Sequence, residues 1–264
     1  MAEDFPRGVD LHTPSTARIY DYLLGGKDNY AADRRVAAEL LEIIPQAATA
    51  ARANHAFLCR AVRHLAAAGE TQFVDVGDKL PAAGNVHETA ARIAPDARVL
   101  FAGEDPVALT HGRALLTHPN TAVVGVDLLS PADVTRDPAA RALIDFDRPV
   151  VVILDRVLHF IEDDARARAA VDDLRARLVP GSHVVFTHIT QEPRPEASDP
   201  VRRVFDPTTS HFRGRERDAV RALFTGFTWL DPGLTYTPEW RPDDDADPGD
   251  APELSFTLAG VVRR

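Results

Sequence analysis

Phe73-Val-Asp-Val-Gly-Asp-Lys-Leu-Pro-Ala-Ala-Gly-Asn85 runs from a β-branched strand through an acid and a glycine towards a helix start. A turn of this kind can hold a nucleoside cofactor: Gly77 lets the backbone approach a ligand with no Cβ between them, and Asp75 brings a carboxylate to its edge. Lys79, where further glycine would suit the role, brings a long cationic side chain instead. Asp78 and Lys79 admit two readings, a surface turn that has drifted or a rebuilt pocket in which Lys79 binds an acidic group or serves as a general acid. Asp155, Arg156 and His159 follow an apolar run at the carboxyl end of an expected strand, the place where open α/β sheets put their ligands. A histidine there can take a proton from a hydroxyl or amine, or it packs beneath a helix; His188, ending the next strand, carries the same two readings. Asp155, His159 and His188 could face one another, but they include no His or Cys pair at i,i+3 or i,i+4 spacing, so no metal is expected. Asp127, ending the third strand, either meets a ligand amino group or caps its own turn.

A chain of 264 residues with 45% apolar and 27% charged residues can bury a sizeable core. Its formal charge of −10 repels phosphate backbones. The arginines at 202, 203, 213, 215 and 217 are interspersed with acids and have no interleaved aromatics. Nucleic acid is therefore not an expected partner. No apolar run approaches the roughly 20 residues of a membrane span, and Met1-Ala-Glu-Asp-Phe-Pro-Arg7 lacks the basic-then-apolar order of a secretory signal. The single Cys59 excludes an intramolecular disulfide framework and sits on an apolar helical stripe. A cytoplasmic location is expected, and nothing in the sequence fixes an oligomeric state.

The elements that must position these residues follow from periodicity. Residues 1–12 read as a tail. Helices are expected from Thr13-Pro-Ser-Thr16 to Gly25-Gly26, at 31–43 and at 47–67, the last with Phe57, Leu58, Ala61, Val62 and Leu65 on one stripe. After Gly69 short apolar runs alternate with helix-length segments, the pattern of parallel βαβ units. Strands are expected at 72–76, 98–102, 121–126, 150–154 and 182–188, with helices at 84–94, 106–117, 131–144 and 163–178. A Pro- and charge-rich stretch follows Thr190, then a helix near 214–224 and strands at 227–231 and 254–262. Asp243-Asp-Asp-Ala-Asp-Pro-Gly-Asp250 reads as a solvated loop. The division is an N-terminal helical extension, 1–68, and a Rossmann-like domain, 69–264.

This order resembles the class I S-adenosylmethionine-dependent methyltransferases. In detail the chain resembles the actinobacterial S-adenosyl methyltransferase family once catalogued as a domain of unknown function. The match lies in Ser15-Thr-Ala-Arg-Ile-Tyr-Asp-Tyr-Leu-Leu-Gly-Gly-Lys-Asp-Asn-Tyr30 with Asp33, Ala51-Arg-Ala-Asn54, Leu80-Pro81, Gly84-Asn-Val-His-Glu88, Asp105-Pro106, Val157-Leu-His-Phe160, Pro180-Gly181, Pro232-Gly233 and Trp240. It implies an α/β sheet of seven strands, the last antiparallel, with helices on both faces and the N-terminal helices as a lid. It also implies S-adenosylmethionine as cofactor, a small-molecule acceptor and a place in secondary metabolism. Tyr20, Tyr22, Lys27, Asn29 and Tyr30 would belong to the lid, and Asp75, Gly77, Asp127 and Asp155 would face the cofactor. The chain departs from the family at two places. The first turn usually reads Asp-Ile-Gly-(Thr or Ser)-Gly-Leu-Pro, whereas Asp78-Lys79 stands here. The family's acid at the end of the second strand aligns with Gly103, leaving Glu104 as a substitute for the ribose hydroxyls. These departures leave a second function open, a methyltransferase fold that no longer binds the ordinary cofactor and has a non-methylating or interaction role.

Overall fold

The computed structural model describes residues 10, 12–80, 85–208, 212–243 and 251–264. Most of the expected tail, the expected helix start at 84 and nearly all of the acidic loop lie outside them. Eight strands, β1 (Gln72–Val76), β2 (Arg98–Gly103), β3 (Thr121–Gly125), β4 (Val151–Leu154), β5 (His183–Ile189), β6 (Thr228–Trp229), β7 (Thr235–Tyr236) and β8 (Thr257–Arg263), form one sheet. Its order is β3-β2-β1-β4-β5-β8-β6, with β7 also paired to β8. β1 to β5 are parallel, and β8 runs antiparallel to β5. The expected count of seven is corrected to eight among the described residues, because β7 is a two-residue strand, too short to leave a period in the sequence.

Both faces of the sheet are covered, so its central strands read as continuous apolar runs whose residues alternate between two cores. Val74, Val76, Leu100, Val152, Leu154, Val184 and Phe186 join one core. Phe73, Val99, Val151, Ile153, Val185 and Val261 join the other, which also receives Phe57, Leu58, Ala61, Val62 and Leu65. Those five come from α3 (Ala47–Ala67), which follows α1 (Thr16–Leu23) and α2 (Ala31–Ile43). The crossover helices are α4 (Val86–Ala91), α5 (Pro106–Leu115), α6 (Pro138–Leu143) and α7 (Asp164–Arg177). The single helix expected at 131–144 is instead a 3-10 turn, Pro131–Arg136, followed by α6. Pro138 has no N–H to continue a helix, and Asp137 restarts one by accepting the Ala140 N–H at 2.8 Å.

The stretch after Thr190 contains an element the sequence reading omitted, α8 (Ser198–Phe205), ahead of α9 (Arg217–Leu223). Pro200 falls in the first turn of α8, where a missing N–H costs nothing. Ala197 and Val204 from this region close a third core with Ile19, Leu23, Val36, Ala37, Leu40 and Ile44. Ion pairs and hydrogen bonds tie these helices to the strand ends. Arg18 Nε lies 2.8 Å from Asp33 Oδ2, the Ser15 amide donates to Asp33 Oδ1, and the Ser15 hydroxyl donates to Asp105 Oδ2 at 2.5 Å. Asp105 also caps α5 through the amides of Val107 and Ala108.

Candidate functional site

At the carboxyl ends of β1 and β4, one polar network holds most of the chemistry. Lys79 Nζ lies 2.8 Å from Asp75 Oδ1 and 3.3 Å from Asp155 Oδ2, with both carboxylates buried. Asn54 Nδ2 donates to Asp155 Oδ1 and to the Tyr20 hydroxyl, each at 2.9 Å, and that hydroxyl donates to the Ala51 carbonyl at 3.0 Å. Thr187 Oγ1 donates to Asp155 Oδ1 at 3.1 Å. Arg156 has a left-handed backbone, φ 57°, a conformation that non-glycine residues hold mainly where the surroundings enforce it. Its guanidinium sits 3.5 Å from the Tyr20 ring centroid and 3.6 Å from Asp155 Oδ1, and it donates to the Asp78 carbonyl at 3.2 Å. Gly77 is required by packing, since a Cβ there would come 2.7 Å from the Asp155 carbonyl oxygen.

Burial pushes the Asp75 carboxyl up, against the pull of Lys79. Burial acts the same way on Asp155, but Lys79 and Arg156 outweigh it and hold that carboxyl well below the usual range. Lys79 resists burial and stays protonated, because Asp75 and Asp155 raise its affinity for the proton. Tyr20, buried beside Asp155, is pushed up to about 12. The ammonium and the guanidinium thus balance two carboxylates. Asp75 Oδ2 and Asn54 Oδ1 are buried with no hydrogen-bond partner among the described residues.

The two departures from the family pattern are coupled at the end of β2. Asp78 Oδ1 accepts the amides of Glu104 at 2.6 Å and Asp105 at 2.9 Å, and a Cβ on Gly103 would come 2.7 Å from that same oxygen. A carboxylate from the first turn thus occupies the end of β2 beside Gly103. Glu104 is exposed and turned towards the loop after β3, where Oε2 accepts the Leu128 amide at 3.3 Å. Asp127 is exposed and accepts the Leu129 amide, so it caps its own turn. A small apolar cavity of about 30 Å³ lies beside these groups, against Gly77, Phe101, Gly103, Leu109 and Val123.

A larger cavity of about 160 Å³ lies under the N-terminal helices. Ile19, Leu40, Ile44, Val201, Phe205 and Phe256 supply its apolar wall, and Tyr20, Asn54, Arg156 and His159 form its polar end. His159 is 1% exposed and Nδ1 has no hydrogen-bond partner among the described residues. Burial, with His188 and Arg156 nearby, keeps its pKa well below the ordinary imidazole value, so the ring is neutral. His188 differs in being fully engaged. Nδ1 lies 2.7 Å from the Ile189 carbonyl and Nε2 lies 3.1 Å from Arg215 Nη1, which makes Nδ1 the protonated nitrogen and Nε2 the acceptor. Burial pushes His188 down to about 3. It holds Arg215 in place and has no nitrogen left for an external proton, which argues against the base role considered for it.

The remaining expected lid residues are dispersed. Tyr22 packs on the third core, and Lys27 is exposed in the turn after α1. Buried Asn29 donates to Asp21 Oδ2, while Tyr30 packs beside Leu80 and Val107 with Arg18 over its ring. Asn54 and Thr187 carried no role in the sequence reading. The signal for Asn54 was there, a polar residue one helical turn before Phe57 and Leu58 on a stripe that is otherwise apolar. Cys59, expected only to pack, lies 3.7 Å from His55 Nε2. Among the described residues no group of three or more His, Cys, Asp or Glu is arranged to hold a metal ion.

A parallel sheet whose final strand is inserted antiparallel, with acids and glycines gathered at the carboxyl ends of β1, β2 and β4, defines a Rossmann-like methyltransferase fold. Residues 2–264 match the model of the S-adenosyl methyltransferase family, and the chain belongs to it. A solved structure from Thermobifida fusca YX, named for an inferred methyltransferase activity, is 38% identical with a TM-score of 0.90, covering 98% of each chain. A DUF574 family protein from Streptomyces avermitilis is 32% identical with a TM-score of 0.87, covering 97% of this chain and 100% of its own. The N-methyltransferase NodS from Bradyrhizobium japonicum, in complex with S-adenosyl-L-homocysteine, shares the fold at 17% identity and a TM-score of 0.50, covering 94% of this chain and 98% of its own. None of the curated proteins compared with the chain matches it.

Proposed function

We propose that the protein methylates a small, largely apolar molecule from S-adenosylmethionine, with the 160 Å³ cavity as the acceptor site and His159 as the proton acceptor. The observation that carries this reading is the convergence of an apolar cavity on a buried, neutral imidazole with an unbonded nitrogen, at the carboxyl end of β4. A dry cavity of about 150 Å³ accommodates benzene, so the space as it stands suits an acceptor of about one ring bearing a hydroxyl or amine. His159 would accept the proton that this group loses, and Ile19, Leu40 and Phe256 would exclude water from it. Burial keeps the His159 imidazole unprotonated while lowering its affinity for a proton, so the role suits it for a proton that methyl transfer has already made acidic.

The residues at the carboxyl ends of β1, β2 and β3 would hold the nucleoside part of the cofactor. Asp78, Glu104 and Asp127 offer carboxylate oxygens to ribose hydroxyls and an adenine amino group. Gly77 leaves the turn without a side chain, and the small cavity beside Gly103 is apolar enough for a ring. When bound, the cofactor supplies a methyl group on a sulfonium, an electrophile that needs no metal. Residues 1–68 would act as the lid over both ligands, through Tyr20 and the Arg18 and Ser15 anchors. A place in secondary metabolism and a cytoplasmic setting accord with a small acceptor, a net charge of −10 and described helices none of which is long and apolar enough to cross a membrane.

The test is transfer of labelled methyl from S-adenosylmethionine to a panel of single-ring phenols and amines, with His159→Ala beside the wild type. Transfer to at least one compound is expected, reduced about 10²- to 10⁴-fold in the folded variant. Absence of transfer across the panel, or an undiminished rate in the variant, would refute the assignment.

A further inference from the structure

We propose that Lys79 is a resident cation that fills the cationic subsite between Asp75 and Asp155, so that the cleft recognises a nucleoside and gains little from an amino-acid ammonium on the same ligand. The inference rests on the reading that the nucleoside end of the cofactor sits at the first turn.

The argument is one of charge and space. Two carboxylates that face each other at the mouth of a parallel sheet attract a cation, and an incoming ligand ammonium would ordinarily provide it. Here the ammonium is covalently part of the turn, 2.8 Å from Asp75 and 3.3 Å from Asp155. Arg156, 3.6 Å from Asp155, supplies a second positive charge, so the pair is already neutralised. A second ammonium brought to the same oxygens would meet Lys79 at close range with no uncompensated carboxylate to reward it. The place is also enclosed, since the side chain of Lys79 is 15% exposed. Lys79 is therefore neither a free general acid nor a free anion site, the two roles open to it on sequence grounds. The nucleoside end is affected differently. Asp78, whose Oδ1 is held by two backbone amides, stands at the end of β2 away from this pair and keeps its recognition capacity.

Isothermal titration of the full-length protein with S-adenosylhomocysteine and with 5′-methylthioadenosine, the corresponding nucleoside thioether without the amino-acid end, tests the proposal. The wild type is expected to bind the first less than about tenfold more tightly than the second, tenfold being about the value of one charge-assisted bond. Lys79→Gly, which opens the subsite, should increase the preference for S-adenosylhomocysteine at least about tenfold, and adding Asp75→Asn should cancel that gain. A wild-type preference of tenfold or more, or an unchanged preference in folded Lys79→Gly, overturns the role of Lys79 and leaves the cofactor reading standing. Binding of neither compound at about 1 mM by either protein overturns both. If Lys79→Gly fails to fold, the wild-type ratio decides alone.

Discussion

Replacing Lys79 by Met removes the ammonium and keeps most of the side-chain volume, leaving Asp75 and Asp155 facing each other in a buried site. At an effective dielectric of about 20, contacts of 2.8 and 3.3 Å correspond to attractions of about 6 and about 5 kcal/mol before the burial of the charges is subtracted. Breaking a buried ion pair by removing one partner typically costs about 3–5 kcal/mol, and for a chain of this size that lowers the melting temperature by about 6–20 °C. The loss should depend on pH in a defined direction. Burial raises the Asp75 carboxyl, and without Lys79 nothing comparable opposes that rise. An acid with a raised folded pKa is most favourable to folding when protonated, so the deficit should be full at neutral pH and shrink as pH falls towards about 4. Adding Asp75→Asn to Lys79→Met should recover most of the deficit, because a neutral amide replaces the stranded charge. Thermal melts of the wild type, the single and the double variant at pH 7.5 and 5 check this. A melting point within about 2 °C of wild type for Lys79→Met at pH 7.5 would refute a coupled buried cluster.

Three further perturbations probe neighbouring parts of the site. Gly103→Asp alone should destabilise, since its Cβ meets Asp78 Oδ1 at 2.7 Å; combined with Asp78→Thr it should be tolerated, with a coupling of about 1–3 kcal/mol in urea unfolding, and simple additivity would show that the two positions are independent. His188 is held neutral, with its pKa pushed down to about 3; its contribution to stability is complete above about pH 6.5 and is lost as pH falls from there towards 3, at about 1.4 kcal/mol per unit. His188→Gln should therefore flatten the acid limb of stability against pH, and an unchanged slope would count against the burial argument. Tyr20→Phe removes the hydroxyl that donates to Ala51 and accepts from Asn54; a loss of about 1–3 kcal/mol is expected in chemical denaturation, since one buried Asn54 Nδ2 hydrogen is left without its acceptor, and a neutral outcome would mean that water takes over the bond.

Periodicity sufficed for the sheet because its strands are buried on both faces, and uninterrupted runs such as Val151–Leu154 have few alternatives. It failed where proline chemistry is ambiguous. Pro138 splits one expected helix in two, whereas Pro200 is accommodated in the first turn of a helix that was not expected at all. Placement was legible at the ends of strands, since Asp75, Gly77 and Asp155 meet there as their positions in the βα units require, with His159 at the neighbouring cavity. The contacts between elements were not. Nothing local in the sequence shows that Asn54, on α3, reaches Asp155 across 101 positions, or that Asp78 substitutes in space for a side chain absent at Gly103.

The same distinction shows why the glycine-to-lysine change at position 79 and the acid-to-glycine change at 103 need not signal decay. A drifting turn would leave an ammonium in solvent and would not return a carboxylate to the end of β2. Here Lys79 is bound to two buried acids, and Asp78 Oδ1 occupies space that a Cβ on Gly103 would need. Lys79 without Asp75 and Asp155 would be a partly buried, unpaired cation, and an acid at 103 beside Asp78 would place like charges in contact. Each of the two arrangements is thus compensated locally, Lys79 by Asp75 and Asp155 and Asp78 by the backbone amides at the end of β2, as a retained binding site requires.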